Sequence, residues 1–210
     1  MIDHEHKFIF IHIPKTGGTS IEQFFKPDIL PDVRNYDCFY GWDKKHKFWR
    51  QHATMQQIND LYEKDLTGYF KFGFVRNPWS RALSDFIWMT EVHTPFIKGS
   101  FVDYLLLRNN FKRIMIKQRR KYRMDHIIPQ SDFLFDADGN LLVDFIGRFE
   151  NLQEDFNTIC DKIGIPRQKL PHKNKSKHKH YTEYYDDETR SIVAEKYAKD
   201  IEYFGYKFGE

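Results

Sequence analysis

The segment FIFIHIPKTGGTSIEQFF, residues 8–25, restricts the fold more than any other part of the chain. Phe8, Ile9, Phe10 and Ile11 follow one another without a polar residue between them. That pattern argues against a strand with one wet face and predicts a strand buried on both faces, as in a parallel sheet. Pro14 ends the run, Gly17 and Gly18 turn the chain, and Ile21, Phe24 and Phe25 then take helical spacing. The same device recurs at YFKFGFVRNPWSRALSDFIWM, residues 69–89, where an apolar run ends in a polar turn with Pro78 and a helical pattern follows. Strand, polar turn and helix, used twice, predict an α/β domain. Ligands of parallel sheets sit at the carboxyl ends of strands, so both turns are expected to open on one edge.

The remaining segments fit around this core. Met55, Ile58, Leu61 and Tyr62 give residues 52–66 helical spacing, and residues 101–123 read as helical with a basic end, Arg119 to Arg123. Residues 131–150 carry two apolar stretches around Asp138 and Gly139, a hairpin signal. Asn151 is the expected cap of a helix over residues 152–163, stopped by Gly164 and Pro166, and a last helix is expected over residues 187–203. Residues 27–50 and the basic residues 167–181 lack periodicity and read as surface segments.

With 210 residues the simplest organisation is one domain, residues 1–210. Apolar residues make up 40% and charged residues 30%, which places the chain among folded globular proteins rather than disordered ones. A net charge of +3 is too small to argue for nucleic acid. Cys38 and Cys160 fit no metal or redox spacing and are not expected to form a disulfide. No apolar run approaches the roughly 18 residues of a membrane span, and the start of the chain does not resemble a secretory signal, so a cytoplasmic protein is expected.

The chemistry concentrates at Pro14, Lys15, Thr16, Gly17, Gly18, Thr19 and Ser20. Glycines at a strand-to-helix turn let backbone approach a ligand, and the unpaired amides of a new helix favour an anion there. Lys15 adds a full positive charge, and Thr16, Thr19 and Ser20 add hydroxyls. A phosphate or a close relative is the implied ligand; the alternative is a bare tight turn with Lys15 in solvent. In a nucleoside triphosphatase loop the lysine follows the glycines. Here it precedes them, and no acidic strand end is placed to hold Mg²⁺, so no metal is expected. In the second turn Arg76 ends the strand and Ser84 lies eight residues on, roughly 12 Å of rise if wholly helical. Because part of that stretch is the turn, both can reach one phosphate; the alternative is a surface salt bridge and a helix hydroxyl. Arg81 reads as a helix-surface charge.

At these residues the chain resembles sulfotransferases that use 3′-phosphoadenosine 5′-phosphosulfate (PAPS), specifically carbohydrate O-sulfotransferases of the heparan and chondroitin type and their bacterial homologues. Residues 14–20 resemble the family's 5′-phosphosulfate loop, and Arg76 with Ser84 its 3′-phosphate motif. The likeness extends to His52-Ala53-Thr54, Pro129-Gln130-Ser131-Asp132, Gly147-Arg148-Phe149-Glu150-Asn151-Leu152 and residues 200–206. It implies a P-loop-like three-layer α/β domain with a central, mostly parallel sheet. It also implies transfer of a sulfuryl group from PAPS to an acceptor hydroxyl, most simply on a saccharide. Lys175 and Ser176 resemble a position that closes over the nucleotide.

Under that resemblance Lys15 stabilises the leaving phosphate and His52, which opens a helix between the two motifs, is the expected general base. Glu22 competes for that role, and His12, inside the strand, reads as packed. The basic cluster Arg119 to Arg123 and the loop at residues 167–179 are either acceptor-binding surfaces for an acidic saccharide or solvated charge. Two other functions fit the residues less well: a small-molecule or nucleotide kinase, and a non-catalytic protein binding nucleotides or sulfated glycans.

Overall fold

The computed structural model describes residues 1–28, 35, 37–95, 97–117, 123–171 and 179–210. In chain order its elements are β1 (Ile2–Asp3), β2 (Phe8–Ile11), α1 (Gly18–Phe25), β3 (Trp42–Asp43), β4 (Phe48–Trp49), α2 (Met55–Leu61) and β5 (Phe70–Val75). These are followed by α3 (Pro78–Ile87), α4 (Phe101–Leu105), α5 (Asn109–Lys112), α6 (Ser131–Leu134), β6 (Phe145–Arg148), α7 (Leu152–Ile163), α8 (Asp187–Lys196) and α9 (Ala198–Phe204). The chain divides into two compact units, Met1–Val75 with Asp132–Lys175, and Arg76–Ser131 with Ser176–Glu210.

The first unit carries the sheet, in the order β1-β2-β5-β6. β2, β5 and β6 run parallel and β1 is antiparallel to β2, a mixed α/β arrangement with a mostly parallel sheet flanked by helices. Register explains the composition of the strands. Phe8 pairs with Phe70 and Phe10 with Phe72, so the phenylalanines of both strands, at alternate positions, share one face. There they meet Ile21 of α1 and Phe156, Ile159 and Cys160 of α7 in one buried cluster. The rings of Phe10 and Phe72 stack at 5.3 Å and those of Phe8 and Phe25 approach to 4.4 Å. Residues 27–50, expected as a surface excursion, fold partly as the β3–β4 hairpin and contribute the buried Phe39 and Tyr40.

Three sequence expectations change. The expected hairpin at residues 131–150 shrinks to one isolated bridge, Phe135 to Leu141, around a turn in which Asp136 accepts the N–H groups of Asp138 and Asn140. The first apolar stretch becomes α6, burying Phe133 and Leu134, and the second pairs in parallel with β5, a partner the local pattern cannot specify. The helix expected over residues 101–123 breaks where Leu107 and Asn109 take φ of 51° and 52°. The final helix divides at Tyr197 into α8 and α9. Gly164, at φ 74°, ends α7 as expected, although the Asn151 side chain makes no capping hydrogen bond.

The second unit is helical. Trp79 and Leu83 of α3, Tyr104 and Leu105 of α4, Phe111 of α5 and Val193 of α8 form its core. α3 continues into a turn of π-helix, Trp88–His93.

Gly147 of β6 stands opposite Phe74 in the register, and a Cβ there would overlap the Phe74 ring. Gly147→Ala is expected to cost about 1–3 kcal/mol. Urea unfolding should show a lower midpoint with unchanged slope.

Candidate active site

β2 leaves the sheet through buried His12, Ile13 and Pro14 and enters the candidate anion loop. Lys15 takes φ 70°, an uncommon conformation for a residue with a side chain, of the kind that collects at functional sites. Gly17, at φ 87°, is the N-cap of α1 and offers no side chain to its first turn. Thr54, Asn77, Ser100 and Asp186 cap α2, α3, α4 and α8 with their side chains, whereas α1, like α5, α7 and α9, has no side-chain cap. The start of α1 therefore presents helix-dipole charge and amides that no side-chain cap satisfies, which is how an anion site is built. Lys15 is half-buried, Thr19 is exposed and Ser20 is buried. Thr16 corrects the expectation of three ligand hydroxyls: it is fully buried and its hydroxyl donates to the Ile13 carbonyl at 2.8 Å, closing the loop from inside.

The two glycines serve different ends. Gly17 supplies the left-handed φ. Gly18 leaves room for the His12 imidazole, which any Cβ at position 18 would overlap. His12, expected as a packed strand residue, is packed and also wired: its Nδ1 lies 2.8 Å from Glu22 Oε1, both groups being buried. Burial alone would raise the pKa of Glu22, but the charge and hydrogen bond of His12, with a smaller contribution from His52, hold it below the ordinary carboxylate value. An ionised carboxylate only accepts, so His12 Nδ1 is the donor. The His52 ring meets His12 edge-on, with centroids 4.9 Å apart and planes at 85°. The three residues thus form one cluster beside the loop. His52 itself sits in a 3₁₀ turn, Arg50–His52, before α2; it does not open that helix, which Thr54 caps reciprocally with Gln57.

In the second unit Arg76 directly follows β5 and is largely buried, its Nε donating to Ser80 Oγ at 3.0 Å. Ser80, one turn after Arg76, was not singled out from the sequence, although the spacing of four residues is a readable signal. Ser84 lies one turn further along α3 and is half-buried. Arg81 corrects the surface-charge reading: only 2% exposed, it donates to the carbonyls of Ile128 and His126 at 3.1 and 3.0 Å. Its charge binds a neighbouring segment instead of facing water. Lys175 and Ser176 lie outside the described residues, as do Arg119 to Tyr122 of the basic cluster.

A strand, an uncapped glycine turn with a lysine, and a helix, set in a mostly parallel sheet, define an α/β protein with a candidate anion loop at a strand end. The family model described as Sulfotransferase family matches residues 1–207, and the chain belongs to that family. Among named relatives, Carbohydrate sulfotransferase 14 of Danio rerio is 23% identical over 188 residues, covering 80% of this chain and 48% of that protein. Carbohydrate sulfotransferase 9 of Homo sapiens is 22% identical over 222 residues, covering 95% of this chain and 47% of that protein. An uncharacterized protein of Archaeoglobus fulgidus is 29% identical over 110 residues, 52% of this chain and 80% of its own. The chain spans about half the length of the two carbohydrate sulfotransferases. No solved structure matches it.

A double-mutant cycle tests the contact between Gly18 and His12. Gly18→Ala should cost about 1–3 kcal/mol in the wild-type background. In a His12→Ala background most of that cost should vanish, a coupling readable from denaturant midpoints.

Proposed function

We propose that the chain moves a sulfuryl group from PAPS to a hydroxyl of a saccharide, on a P-loop-like three-layer α/β frame. The observation that carries the reading is the uncapped start of α1 beside the left-handed Lys15, in a chain matched to the sulfotransferase family over residues 1–207. When bound, PAPS supplies the sulfuryl group and leaves as adenosine 3′,5′-bisphosphate. In this reading the amides of residues 17–19 and the Lys15 ammonium hold the 5′ end, and Lys15 meets the charge that grows on the leaving oxygen. Arg76 and Ser84 take the 3′-phosphate; a charge-assisted hydrogen bond there contributes on the order of 1.5–3 kcal/mol. Lys175 and Ser176 are assigned to the nucleotide by resemblance alone.

His52 is the proposed base. Glu22 is less suited, because it is buried, bonded to His12 and held ionised below the ordinary carboxylate range, which weakens it as a proton acceptor near neutral pH. Its better role is to fix the His12 ring against which His52 packs.

An acidic acceptor is favoured by the β3–β4 turn. Lys44, Lys45 and Lys47 are exposed there and form no ion pair among the described residues. The carboxylate of Asp43, next to Lys44 in the chain, is buried. Burial opposes its ionisation, yet the N–H of His46 and the Arg50 guanidinium, which donates from Nε and Nη2 at 3.1 and 2.8 Å, bring its pKa down to about 2. The turn therefore keeps its positive charge outward. Lys44→Glu combined with Lys45→Glu should raise KM severalfold for a sulfated or carboxylated oligosaccharide and leave a neutral acceptor unchanged. Equal effects on both would remove the turn from acceptor recognition.

The function is tested by thermal stability with adenosine 3′,5′-bisphosphate against ADP, without metal, followed by acceptor screens with labelled PAPS. Stabilisation by the bisphosphate alone is expected; ADP preference with Mg²⁺-dependent ATP consumption would mean a kinase. Lys15→Ala should lower turnover and bisphosphate affinity together. Lys15→Ala that binds as wild type would favour a non-catalytic anion binder. His52→Ala should leave bisphosphate affinity intact and lower turnover at least a hundredfold. Normal turnover in His52→Ala would shift the base elsewhere.

A further inference from the structure

We infer that Gln130, held by Asp200, is a positioning residue that sets the direction of the Arg76 side chain for a 3′-phosphate. The inference rests on the reading of Arg76 given above. It comes from where the sheet stops. The last rung of β5 with β6 is Val75 to Arg148, and with β2 it is Ile11 to Gly73. Arg76 is therefore the first residue beyond the ladder, with its backbone N–H and C=O still to be satisfied.

The Gln130 carboxamide satisfies both. Its Oε1 accepts the Arg76 N–H at 2.8 Å and its Nε2 donates to the Arg76 carbonyl at 2.8 Å. This is the two-bond exchange of a hydrogen-bonded antiparallel pair, performed by one side chain. Bonds on both flanks of the Arg76 Cα fix the peptide planes before and after it, and so the direction of its Cα–Cβ bond.

A glutamine has three rotatable bonds and would be a poor clamp unless it were held. The Asp200 carboxylate, in the first turn of α9, holds it. Oδ2 accepts the Gln130 backbone N–H at 2.8 Å and its Nε2 at 3.3 Å, and Oδ1 accepts the Ser131 N–H at 2.8 Å. Gln130 and Asp200 are fully buried and Ser131 is 2% exposed, so water does not compete for these bonds. One residue after Arg76 the chain is pinned again: the Asn77 side chain caps α3 and donates to the Lys207 carbonyl at 2.9 Å. At the far end of the arginine, Nε rests on Ser80 Oγ. The guanidinium thus starts from a backbone without freedom, which is preorganisation for an anion; misplacement by about 1 Å can cost on the order of a hundredfold.

The experiment is calorimetric titration of adenosine 3′,5′-bisphosphate and of 5′-AMP into wild type, Gln130→Met and Asp200→Asn. Gln130→Met keeps the length of the side chain and removes both bonds to Arg76. It should lose tenfold or more in bisphosphate affinity and less than twofold in 5′-AMP affinity. Asp200→Asn, nearly isosteric and retaining one acceptor oxygen, should shift the same ratio in the same direction by a smaller factor, and it carries the test if Gln130→Met fails to fold. Parallel losses for both nucleotides, or an unchanged ratio in a folded variant, would mean that the clamp is structural only and would overturn the inference while leaving the functional reading in place. A wild type that does not prefer the bisphosphate over 5′-AMP would overturn both.

Discussion

The parallel pairing of β2 with β5 is the constraint on which the first unit depends. Two strands joined in register, β2 buried throughout and β5 from Phe72 onward, put Phe8, Phe10, Phe70, Phe72 and Phe74 on one side, where α1 and α7 close over them. A rigid sheet of this kind leaves the chain little choice at its carboxyl ends. β2 must shed its backbone hydrogen bonds within a few residues and start a helix, and residues 12–18 are the consequence. His12 folds back under Gly18 to Glu22, Thr16 ties its hydroxyl to Ile13, and Lys15 is left in a strained backbone conformation beside an uncapped helix. Strain of about 1–3 kcal/mol persists only where the surroundings over-determine it, and here the buried contacts on either side do so.

The second strand end solves the same problem differently. After β5 the chain also turns into a helix, but the start of α3 is capped by Asn77, so that terminus is satisfied internally. Its charge comes from a side chain, Arg76, instead of from bare amides. A cap and an anion compete for the same N–H groups. The loop after β2 leaves its helix start without a side-chain cap, whereas the turn after β5 consumes those N–H groups and carries Arg76, whose Nε rests on Ser80 and whose backbone is held by Gln130. One strand end leads into an uncapped glycine turn and the other into a capped helix preceded by an arginine held at its backbone.

Much of this architecture can be read from sequence because it is local. The run from Phe8 to Ile11, the glycines, the helical spacing that follows and the repeat of the device at residues 69–89 all act over a few residues, and the elements form there as expected. Two of the misreadings share one physical cause, a partner distant in the chain. Whether residues 141–148 pair locally or with β5 depends on an open sheet edge contributed by residues 70–75. Arg81 looks like a surface charge until the carbonyls of residues 126 and 128 are placed beside it. Gly18 is legible as a turn glycine, but a further reason for it is not, since the folded ring of His12 occupies the space where its side chain would stand.

The same reasoning separates what a motif says from what makes it work. Lys15, Arg76 and Ser84 stand out because charge and hydroxyl are visible in a string of letters. Gln130 and Asp200 fall in stretches that resemble the family, but the letters give them no role, since a buried amide and a buried acid look alike whether they clamp an arginine or merely fill a core. The difference lies in geometry: two bonds of 2.8 Å to opposite sides of one residue define an orientation, where a single bond defines only proximity. Orientation is what an arginine lacks on its own, with its long flexible stem, and what recognition of a phosphate by a planar guanidinium requires. A chain that places charge at a strand end must therefore also spend buried polar groups behind it, and in the second unit those groups come from residues 130 and 200, far from Arg76 in sequence.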